Sequence, residues 1–405
     1  MRISKYIFWG FFIIITLFSC EPPQQKKAVI LISFDGFRYD YPDKYDLPTF
    51  QKLIDNGVRA EAMIPSYPSK TFPNHYAIAT GIYPKNNGLI NNSFYNREFN
   101  ETYRIGNREA VQDGKWYGGN PIWNYAEEHG VKSATYFWVG SEAPVNGKFP
   151  SYYYLYNTDK SNRERIDQLE AWLALDVDNR PGFIGFYFSE PDHTSHNYGP
   201  DSEELEKKLS ELDADLNYLL ETVKKTGTEA NYIIISDHGM ANYQENSIHY
   251  IKSYIGSTQS MIIENGTDLY LYQDDVAELK RIDSLITIRD TSHALTLFKG
   301  SDRFDNPTHK HIIPDRIIEA PEGHVVAYEQ KDNARPPAPG NHGYDPEKVK
   351  SMHAIFIASG PDIKSGVTIP AFENIHVYPF LCELLNIPEN STIDGKKEVL
   401  HDLLK

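Results

Sequence analysis

The chain has 405 residues, of which 40% are hydrophobic and 24% are charged, so it can form one large globular domain or two smaller ones. Its formal net charge is −16. A surface this acidic repels polyanions, which excludes a nucleic-acid polymer as the expected partner. A small anionic substrate stays compatible with this charge, provided that its site carries its own positive charge, for example from metal ions.

The first twenty residues have the pattern of an export signal. Arg2 and Lys5 precede the apolar run YIFWGFFIIITLF, which ends in Ser19 and Cys20. A run of this length is short for a membrane span and is typical of a signal peptide. The motif LFSC resembles a bacterial lipobox, in which Cys20 becomes the lipidated first residue of the mature protein. Residues 1–20 are therefore expected to be a lipoprotein-type signal peptide.

This pattern places the mature protein outside the cytoplasm. We expect it in the periplasm or at the outer surface, with the lipid on Cys20 as its only membrane attachment. A plain signal peptide or a single N-terminal anchor would place the body of the protein in the same compartments. The one other cysteine is Cys382, so no disulfide is expected within the mature chain, and stability must come from the core.

Short apolar runs, separated by helical patterns, recur along the chain. Their hydrophobicity is continuous rather than alternating, as strands buried on both faces require. The runs are AVILISF (28–34), ATYFWV (134–139), FIGFYF (183–188), YIIIS (232–236) and AIFIAS (354–359). The helical patterns are PIWNYAEEHG, from Pro121 to Gly130, and DSEELEKKLSELDADLNYLLETVKKTG, whose apolar face is Leu205, Leu209, Leu212, Leu216, Leu219 and Val223. Alternating strands and helices predict an α/β fold with a mainly parallel sheet covered on both sides.

The stretch from about 256 to 330 differs from the rest. It contains two short strand-like segments, SMIIENG and DLYLYQ, and a helix-like segment, DDVAELKRIDSLI. This pattern predicts a small α+β insert within one catalytic domain that spans residues 28–405.

Three apolar runs end in residue types that bind metals, and a fourth candidate stands in GNHGYD. The candidate ligands are Asp35, Asp192, His196, Asp237, His238 and His342. An Asp after a strand is often only a turn former or a helix cap. Ligands of open α/β sheets, however, bind at the carboxyl ends of the strands, and carboxylate with imidazole suits zinc and related metals. Six such groups are too many for one tetrahedral zinc and suit two sites with room for substrate oxygens.

Thr71 stands in SYPSKTFPNHYAIATG, residues 66–81, and has two interpretations. As a helix cap, it would precede Phe72 and Pro73 at the start of a helical run that ends at Gly81. As a nucleophile, it would lie at a helix N-terminus, which attracts anions, and a metal ion would stabilise its alkoxide. These residues alone leave both interpretations open.

Together the motifs resemble the nucleotide pyrophosphatase/phosphodiesterase family of the alkaline phosphatase superfamily. The likeness runs from about residue 28 to 390 and rests on SFDGFR, SYPSKTFPNHYAIATGIYPKNNGLINN, GNPIWNYAEEHGVKSATYFWVGSE, SEPDHTSHNYGP, ISDHGM, NHGYD and MHAIFIASGP. The resemblance implies an alkaline-phosphatase-like three-layer αβα sandwich. It also implies an enzyme that hydrolyses nucleotide phosphodiester or pyrophosphate bonds to nucleoside monophosphates, through a phospho-threonine intermediate on Thr71.

The resemblance further implies two Zn²⁺ ions and a substrate site. One zinc would be held by Asp35, Thr71, Asp237 and His238, and the other by Asp192, His196 and His342. The amide of Asn92 would hold a phosphoryl oxygen, and Phe72 and Tyr156 would sandwich a nucleobase. Two positions depart from the family pattern: Asn91 is more usually Asp, and Asn87 is usually His. Neither departure removes an implied ligand.

Two other functions stay open. Related members of the family hydrolyse choline phosphodiesters and lysophospholipids, where aromatic rings cage a quaternary ammonium group. A non-catalytic surface lipoprotein that binds glycans or a partner is the other. A sulfatase is not expected, because its nucleophile position needs Cys or Ser. A phosphomonoesterase needs extra cations beside Thr71, where the sequence offers only Lys70. The oligomeric state stays open as well.

The lipobox gives a first prediction. We expect Cys20→Ala to move the protein from the membrane fraction to the soluble fraction or to leave the signal uncleaved, because no thiol remains to carry the lipid. Cys382→Ala is the matched control and should leave membrane association unchanged. Cell fractionation and the mass of the mature N-terminus measure both. Native protein that is free in the periplasm with an unmodified N-terminus would contradict the lipid anchor.

Overall fold

The computed structural model describes residues 27–331 and 336–405. The predicted signal peptide and Cys20 lie outside these residues. Among the helices of the described part of the chain, none is long and apolar enough to cross a membrane.

The chain alternates strands and helices. The strands are β1 (Ala28–Phe34), β2 (Val58–Ala60), β3 (Met63–Ile64), β4 (Ser93–Asn96), β5 (Glu101–Arg104), β6 (Ser133–Tyr136), β7 (Tyr152–Tyr154), β8 (Phe183–Phe188), β9 (Ala230–Ile235), β10 (Ala241–Asn242), β11 (Ile248–Tyr250), β12 (Met261–Glu264), β13 (Asp268–Tyr272), β14 (Thr296–Lys299), β15 (Arg316–Glu319), β16 (Val325–Ala327), β17 (Gly340–Asn341), β18 (Phe356–Ser359), β19 (Val367–Ile369) and β20 (Phe372–Glu373).

The helices lie between these strands. The α-helices are α1 (Tyr41–Lys44), α2 (Pro48–Asp55), α3 (Thr71–Thr80), α4 (Pro84–Asn87), α5 (Arg108–Val111), α6 (Ile122–Glu128), α7 (Asn162–Leu173), α8 (Asp192–Tyr198), α9 (Glu203–Lys225), α10 (Ile251–Ile255), α11 (Val276–Arg289), α12 (Gly300–Arg303) and α13 (Val377–Leu384). Short 3-10 helices lie at Gly114–Trp116, Pro307–His309, Lys350–Met352, Asn374–His376, Lys397–Val399 and His401–Leu403.

An eight-stranded sheet forms the centre of the fold, in the order β19-β2-β18-β9-β1-β8-β6-β7. Strand β1 pairs in parallel with both β8 and β9, and β6 pairs in parallel with β7 and β8. Strand β18 runs antiparallel to both of its neighbours, β9 and β2. The predicted mainly parallel sheet is therefore confirmed, with one reversed strand inside it.

The sheet separates two hydrophobic cores. In β1, Val29 and Leu31 contribute to one core, which α3, α6 and α13 cover, whereas Ile30 and Ile32 contribute to the other, which α2, α7 and α9 cover. Adjacent residues of a strand point to opposite faces, so a strand that is buried on both faces must be apolar throughout. This arrangement is the predicted three-layer αβα sandwich.

The covering helix α9 follows its sequence pattern closely. Ser202 caps it by accepting a hydrogen bond from the Leu205 N–H, and all six residues of the predicted apolar face are buried. Two predicted strands are shorter than their apolar runs. Strand β6 ends at Tyr136, because Phe137 has a left-handed backbone conformation with φ of 65° that breaks the extended chain. Strand β18 begins only at Phe356.

The region predicted as an insert contains its own small sheet. Strands β12, β13, β15 and β14 form an antiparallel four-stranded sheet in that order. Leu269, Leu271 and Ile318 of this sheet pack against Ile282 and Ile286 of α11. The first residue of β13, Asp268, is buried rather than exposed, which places this end of the small sheet against the large domain.

Candidate metal centre and substrate cleft

The parallel register of the central sheet brings two aspartates together. Ser33 of β1 lies opposite Ile235 of β9, so both strands end at the same level, where Asp35 and Asp237 follow. The backbone N–H of Gly36 donates to Asp237 Oδ1 at 3.2 Å. Gly36 has φ of 72°, and a Cβ on it would lie 2.9 Å from the Cα of Asp192. Only glycine at position 36 allows Asp192, the first residue of α8, to approach the end of β1 this closely.

The first ligand group consists of Asp35, Asp237 and His238, and all three are buried. Their ligand atoms lie within 4.8 Å of one another. His238 Nε2 is 3.0 Å from Asp237 Oδ2 and 3.4 Å from Asp35 Oδ1. The hydroxyl oxygen of Thr71 lies 3.2 Å from the same Nε2 atom. The four residues that the resemblance assigns to one zinc thus surround one point.

The second ligand group consists of Asp192, His196 and His342. Asp192 and His196 lie one turn apart on α8, with Asp192 Oδ1 3.4 Å from His196 Nε2 and 3.6 Å from His342 Nε2. The ring of His342 stacks on the ring of His238 with 3.6 Å between the centroids. The two groups are therefore direct neighbours.

Backbone carbonyls fix the tautomer of each histidine in these groups. The Nδ1 atoms of His238, His196 and His342 lie 2.8, 2.7 and 2.9 Å from the carbonyl oxygens of Gly239, Gly340 and Ser69. A carbonyl oxygen only accepts hydrogen bonds, so each Nδ1 carries the proton and donates it. Each Nε2 then presents a lone pair to the site, as a metal-binding histidine does.

The carboxylates on the other side of the site lack partners. Asp35 Oδ1, Asp192 Oδ1 and Asp237 Oδ2 are buried without a hydrogen bond. Burial, together with the neighbouring Asp237 and Asp192, raises the pKa of Asp35 well above its usual value. Lone pairs of nitrogen and oxygen that face each other in a buried site need a cation between them. Imidazole nitrogens with carboxylate oxygens fit Zn²⁺ or a related divalent metal.

Thr71 does not cap a helix. It is the first residue of α3, and the N-cap position belongs to Lys70, whose side chain makes no capping hydrogen bond. The interpretation of Thr71 as a cap is therefore wrong, because the helix begins one residue earlier than that interpretation requires. The hydroxyl is half-buried and faces His238 instead.

Lys70 points away from the substrate side. Its Nζ donates to the carbonyl oxygen of His342 at 2.6 Å, and it does not line the cleft described below. Burial lowers the pKa of Lys70 to about 8. Lys70 therefore supports the loop that carries His342 and does not provide the cation that a phosphomonoesterase would need beside Thr71.

A cleft of about 600 Å³ opens beside Thr71. Its lining residues are Asp35, Thr71, Phe72, Ile105, Arg108, Val111, Phe137, Val139, Gly140, Glu142, Tyr156, Thr158, Tyr187, Ser189, Glu190, Asp192 and His193. Both predicted base-stacking residues, Phe72 and Tyr156, are among them. Asn92 does not line the cleft itself but is bonded to Phe72, whose N–H donates to Asn92 Oδ1 at 3.0 Å.

A family model for type I phosphodiesterase/nucleotide pyrophosphatase matches residues 29–345. The chain belongs to this family. Venom phosphodiesterase 2 from Crotalus adamanteus is 34% identical over 386 residues, which cover 92% of this chain and 47% of that protein. Ectonucleotide pyrophosphatase/phosphodiesterase family member 3 from Bos taurus is 35% identical over 398 residues, which cover 92% and 45%. The chain spans about half the length of the curated relatives it matches.

Solved structures of the family share the fold. Human ectonucleotide pyrophosphatase/phosphodiesterase 5 matches with a TM-score of 0.86 and 28% identity, over 94% of this chain and 100% of that chain. The murine protein of the same name, an inactive threonine-to-alanine variant in complex with AMP, matches with a TM-score of 0.85 and 27% identity over the same shares. The predicted family and its alkaline-phosphatase-like fold are confirmed.

Two residues that were not predicted from the sequence, His75 and Tyr187, contact candidate metal ligands. His75 is buried, with Nε2 2.8 Å from the Ser33 hydroxyl and Nδ1 3.3 Å from Asp237 Oδ2. The Tyr187 hydroxyl donates to Asp35 Oδ2 at 2.6 Å, which leaves Oδ1 for a metal. His75 lies four residues after Thr71, a spacing that places both on one helix face and could have identified it. The apolar run that contains Tyr187 carries no such signal.

Metal binding should stabilise this protein. We expect chelator-treated protein to unfold at a lower temperature than protein with added Zn²⁺, because the cation satisfies buried acceptors only in the folded state. At a ligand concentration of a hundred times Kd, such linkage contributes about 2.7 kcal/mol. Asp192→Ala should reduce the shift of the thermal midpoint. His193→Ala, which changes the exposed neighbour on the same helix, should keep the full shift. Equal midpoints with and without metal would contradict the assignment.

Proposed function

We propose that this protein is a two-zinc phosphodiesterase that hydrolyses nucleotide phosphodiester or pyrophosphate bonds to nucleoside monophosphates. The observation that carries the proposal is the Thr71 hydroxyl, which makes no capping bond and lies 3.2 Å from His238 Nε2 at the junction of the ligand groups and the cleft. Membership of the family supports the reaction class. The signal sequence supports an exported, lipid-anchored form, which is part of the proposal.

The two ligand groups support the assignment of the metals. Asp35, Asp237 and His238, together with Thr71, would hold one Zn²⁺, and Asp192, His196 and His342 would hold the other. When bound, two such ions make the threonine hydroxyl a nucleophile at neutral pH and neutralise charge on the phosphoryl group and on the leaving oxygen.

The reaction then proceeds in two displacements at phosphorus. The Thr71 hydroxyl gives up its proton and Oγ1 attacks, the Oγ1–P bond forms, and the bond between phosphorus and the leaving oxygen breaks in line with it. The leaving group departs as an alcohol or a phosphate after it takes up a proton. Water next attacks the phospho-threonine, the Oγ1–P bond breaks, and the nucleoside monophosphate leaves. The net change adds one water molecule across the phosphoester bond, and Thr71 is regenerated.

Two features of the chain suit the transferred phosphoryl group. Thr71 begins the ten-residue helix α3, so the group would lie at the positive end of the helix dipole. The side-chain oxygen of Asn92, Oδ1, accepts a hydrogen bond from the Phe72 N–H, so the Nδ2 end of the same amide is turned away from the helix. In that orientation Nδ2 can donate to a nonbridging phosphoryl oxygen, as the family resemblance implies.

The cleft supports a nucleoside on the far side of the phosphate. Its volume of about 600 Å³ is typical of small-molecule sites, and Phe72 and Tyr156 offer aromatic faces to a base. AMP is bound to the murine relative. Among the cleft-lining residues the one Lys or Arg is Arg108, whose guanidinium pairs with Glu142. That pairing disfavours a phosphomonoesterase, which needs free cations for a dianionic group.

One observation favours choline phosphodiesters as a second candidate. The same cleft combines aromatic rings with the carboxylate of Glu190, and a quaternary ammonium group binds well to aromatic faces near negative charge. The nucleotide assignment stands first because of the AMP-bound relative. A non-catalytic binding lipoprotein is disfavoured, because its function would not need the metal ligands and the free Thr71 hydroxyl to converge.

Variants of Thr71 test the proposed nucleophile. Thr71→Ala should abolish turnover of bis-nitrophenyl phosphate while the other ligands still bind metal, and Thr71→Ser should keep measurable activity, because it keeps the hydroxyl. Thr80→Ala makes the same change at the other end of α3 and should keep the wild-type rate. Metal content and initial rates are the measurements. Near-wild-type activity of Thr71→Ala would mean that the nucleophile lies elsewhere or that water attacks directly.

Substrate choice depends on Tyr156 in this proposal. Stacking of a base contributes about 1–3 kcal/mol, so Tyr156→Ala should lower kcat/KM for a nitrophenyl nucleotide ester by roughly five- to a hundred-fold. The loss should be much smaller for bis-nitrophenyl phosphate, which has no base. Tyr153→Ala removes a nearby exposed ring that does not line the cleft and serves as the control. Wild-type preference for nitrophenyl phosphorylcholine would replace the nucleotide assignment with the choline candidate.

A further inference from the structure

A buried chain of hydrogen bonds lies behind Asn92. The backbone N–H of Asn92 donates to Asn91 Oδ1 at 2.8 Å. The Nδ2 of Asn91 donates in turn to Asp268 Oδ1 at 3.1 Å and to the Tyr270 hydroxyl at 2.9 Å. Asn91 and Tyr270 have no exposed surface, and Asp268 is 1% exposed. Water therefore does not compete for these contacts.

The carboxylate of Asp268 determines which atoms donate and which accept in this series of hydrogen bonds. An ionised carboxylate only accepts hydrogen bonds, so it selects the Nδ2 end of the Asn91 amide. The Oδ1 end must then face the Asn92 N–H. The reversed amide would set two acceptors against each other at Asp268 and two donors against each other at Asn92, and each buried mismatch is costly. Burial raises the pKa of Asp268 to about 6, which still leaves it ionised at neutral pH.

Asn92 is thereby held at two points. Its backbone N–H is fixed by Asn91, and its side-chain oxygen is fixed by the N–H of Phe72. A third contact, from the Ile105 N–H to the backbone oxygen of Asn92 at 3.1 Å, leaves Nδ2 as the available polar group, and these contacts set its direction. Asp268 itself is anchored by Asn265, whose Nδ2 donates to Asp268 Oδ1 at 3.1 Å, and by the pairing of β13 with β15.

We propose that Asp268 and Asn91 are positioning residues for phosphoryl binding: Asp268 orients the amide of Asn91, and Asn91 holds Asn92 so that its Nδ2 meets a nonbridging phosphoryl oxygen. The small α+β sheet thus supplies a part of the catalytic apparatus from a segment that carries none of the metal ligands. This inference rests on the proposed function for the identity of the bound group, a phosphoryl oxygen.

A double-mutant cycle tests the link between Asn91 and Asn92. We expect Asn92→Ala to lower kcat/KM for bis-nitrophenyl phosphate by about a hundred-fold or more, as the loss of a donor to a developing oxyanion does. Asn91→Ala should lower it by about ten-fold. The double variant should be no slower than Asn92→Ala alone, because Asn91 acts only through Asn92. Losses that multiply would overturn the proposal, because they would show independent roles.

The same cycle applies to the next contact. Asp268→Ala should slow the enzyme in the wild-type background and should have no further effect in the Asn91→Ala background. Asp274→Ala is the control, because it removes a carboxylate of the same segment that is exposed to solvent and makes no contact with Asn91. It should leave kcat/KM within about three-fold of wild type. A loss on Asp268→Ala that persists without Asn91 would overturn the role of Asp268.

Nearly isosteric variants cover the case in which the alanine proteins do not fold. Asn91→Leu keeps the branched shape without hydrogen bonds and should lose about ten-fold in kcat/KM, measured well below its thermal midpoint, which the unpaired buried partners should lower. The reciprocal exchange, Asn91→Asp with Asp268→Asn, reverses the donor and acceptor but keeps an oxygen facing the Asn92 N–H. It should stay within about three-fold of wild type. A reciprocal protein as slow as Asn91→Leu would contradict the proposal.

Binding of inorganic phosphate separates this inference from the proposed function. Calorimetry on the zinc-loaded protein measures Kd for phosphate without turnover. We expect Asn91→Ala and Asn92→Ala to weaken phosphate binding, again without a further loss in the double variant. Absence of phosphodiesterase turnover in the wild type would overturn the proposed function alone. Unchanged phosphate affinity in Asn91→Ala would overturn the positioning role, whatever the substrate.

Discussion

The structure depends on one electrostatic constraint: buried lone pairs of nitrogen and oxygen face one another at the end of the central sheet. Three imidazoles are fixed by backbone carbonyls so that each Nε2 points inward, and three carboxylate oxygens opposite them have no hydrogen bond. With neutral imidazoles and ionised carboxylates, such a set leaves acceptors facing acceptors, which repel one another. Divalent cations satisfy it, so the architecture around this point is organised to present ligands rather than to neutralise them.

The fold meets this constraint with rigid elements. Asp35 and Asp237 follow neighbouring parallel strands in register, and Asp192 and His196 lie one turn apart on α8, which begins just after a third strand. Most of the candidate ligands lie in a helix or directly after a strand of the central sheet. The exception is His342, whose loop is held by Lys70 and Ser69, the residues that directly precede Thr71. Thr71 and His342 therefore share one support.

Much of this organisation could be predicted from the sequence, for a physical reason. Strands β1 and β8 have the bounds of their apolar runs, because burial on both faces requires apolar side chains at nearly every position. The three-residue strands β2, β7 and β19 gave no such signal, since they are short and the edge strands β7 and β19 are partly exposed. The six predicted acidic and histidine ligands could be named because each follows or precedes an apolar run. As a cap, Thr71 would have placed the start of α3 one residue too late, since the sequence does not show where a helix ends.

Long-range polar contacts are the part that sequence reasoning could not supply. Asn91 and Asp268 are 177 positions apart, and neither stands in a pattern that points to the other. The same holds for Tyr187 and Asp35, which meet only because β8 pairs with β1. These contacts set the direction of amides and carboxylates, and they follow from the three-dimensional arrangement of elements rather than from local composition.

The spacing of the ligands along the chain has a consequence for how the protein withstands unfolding. Asp35 and His342 lie near opposite ends of the matched region, and the cysteine among the described residues, Cys382, is free. One proposed ion would join Asp35 to Asp237 and the other would join Asp192 to His342, so each would act as a reversible cross-link, and the entropy removed from the unfolded chain grows with the length of the loops they close. The metal centre would then also stabilise the fold. Loss of metal in a dilute environment would lower the free energy of unfolding of the whole domain and make it more susceptible to proteolysis.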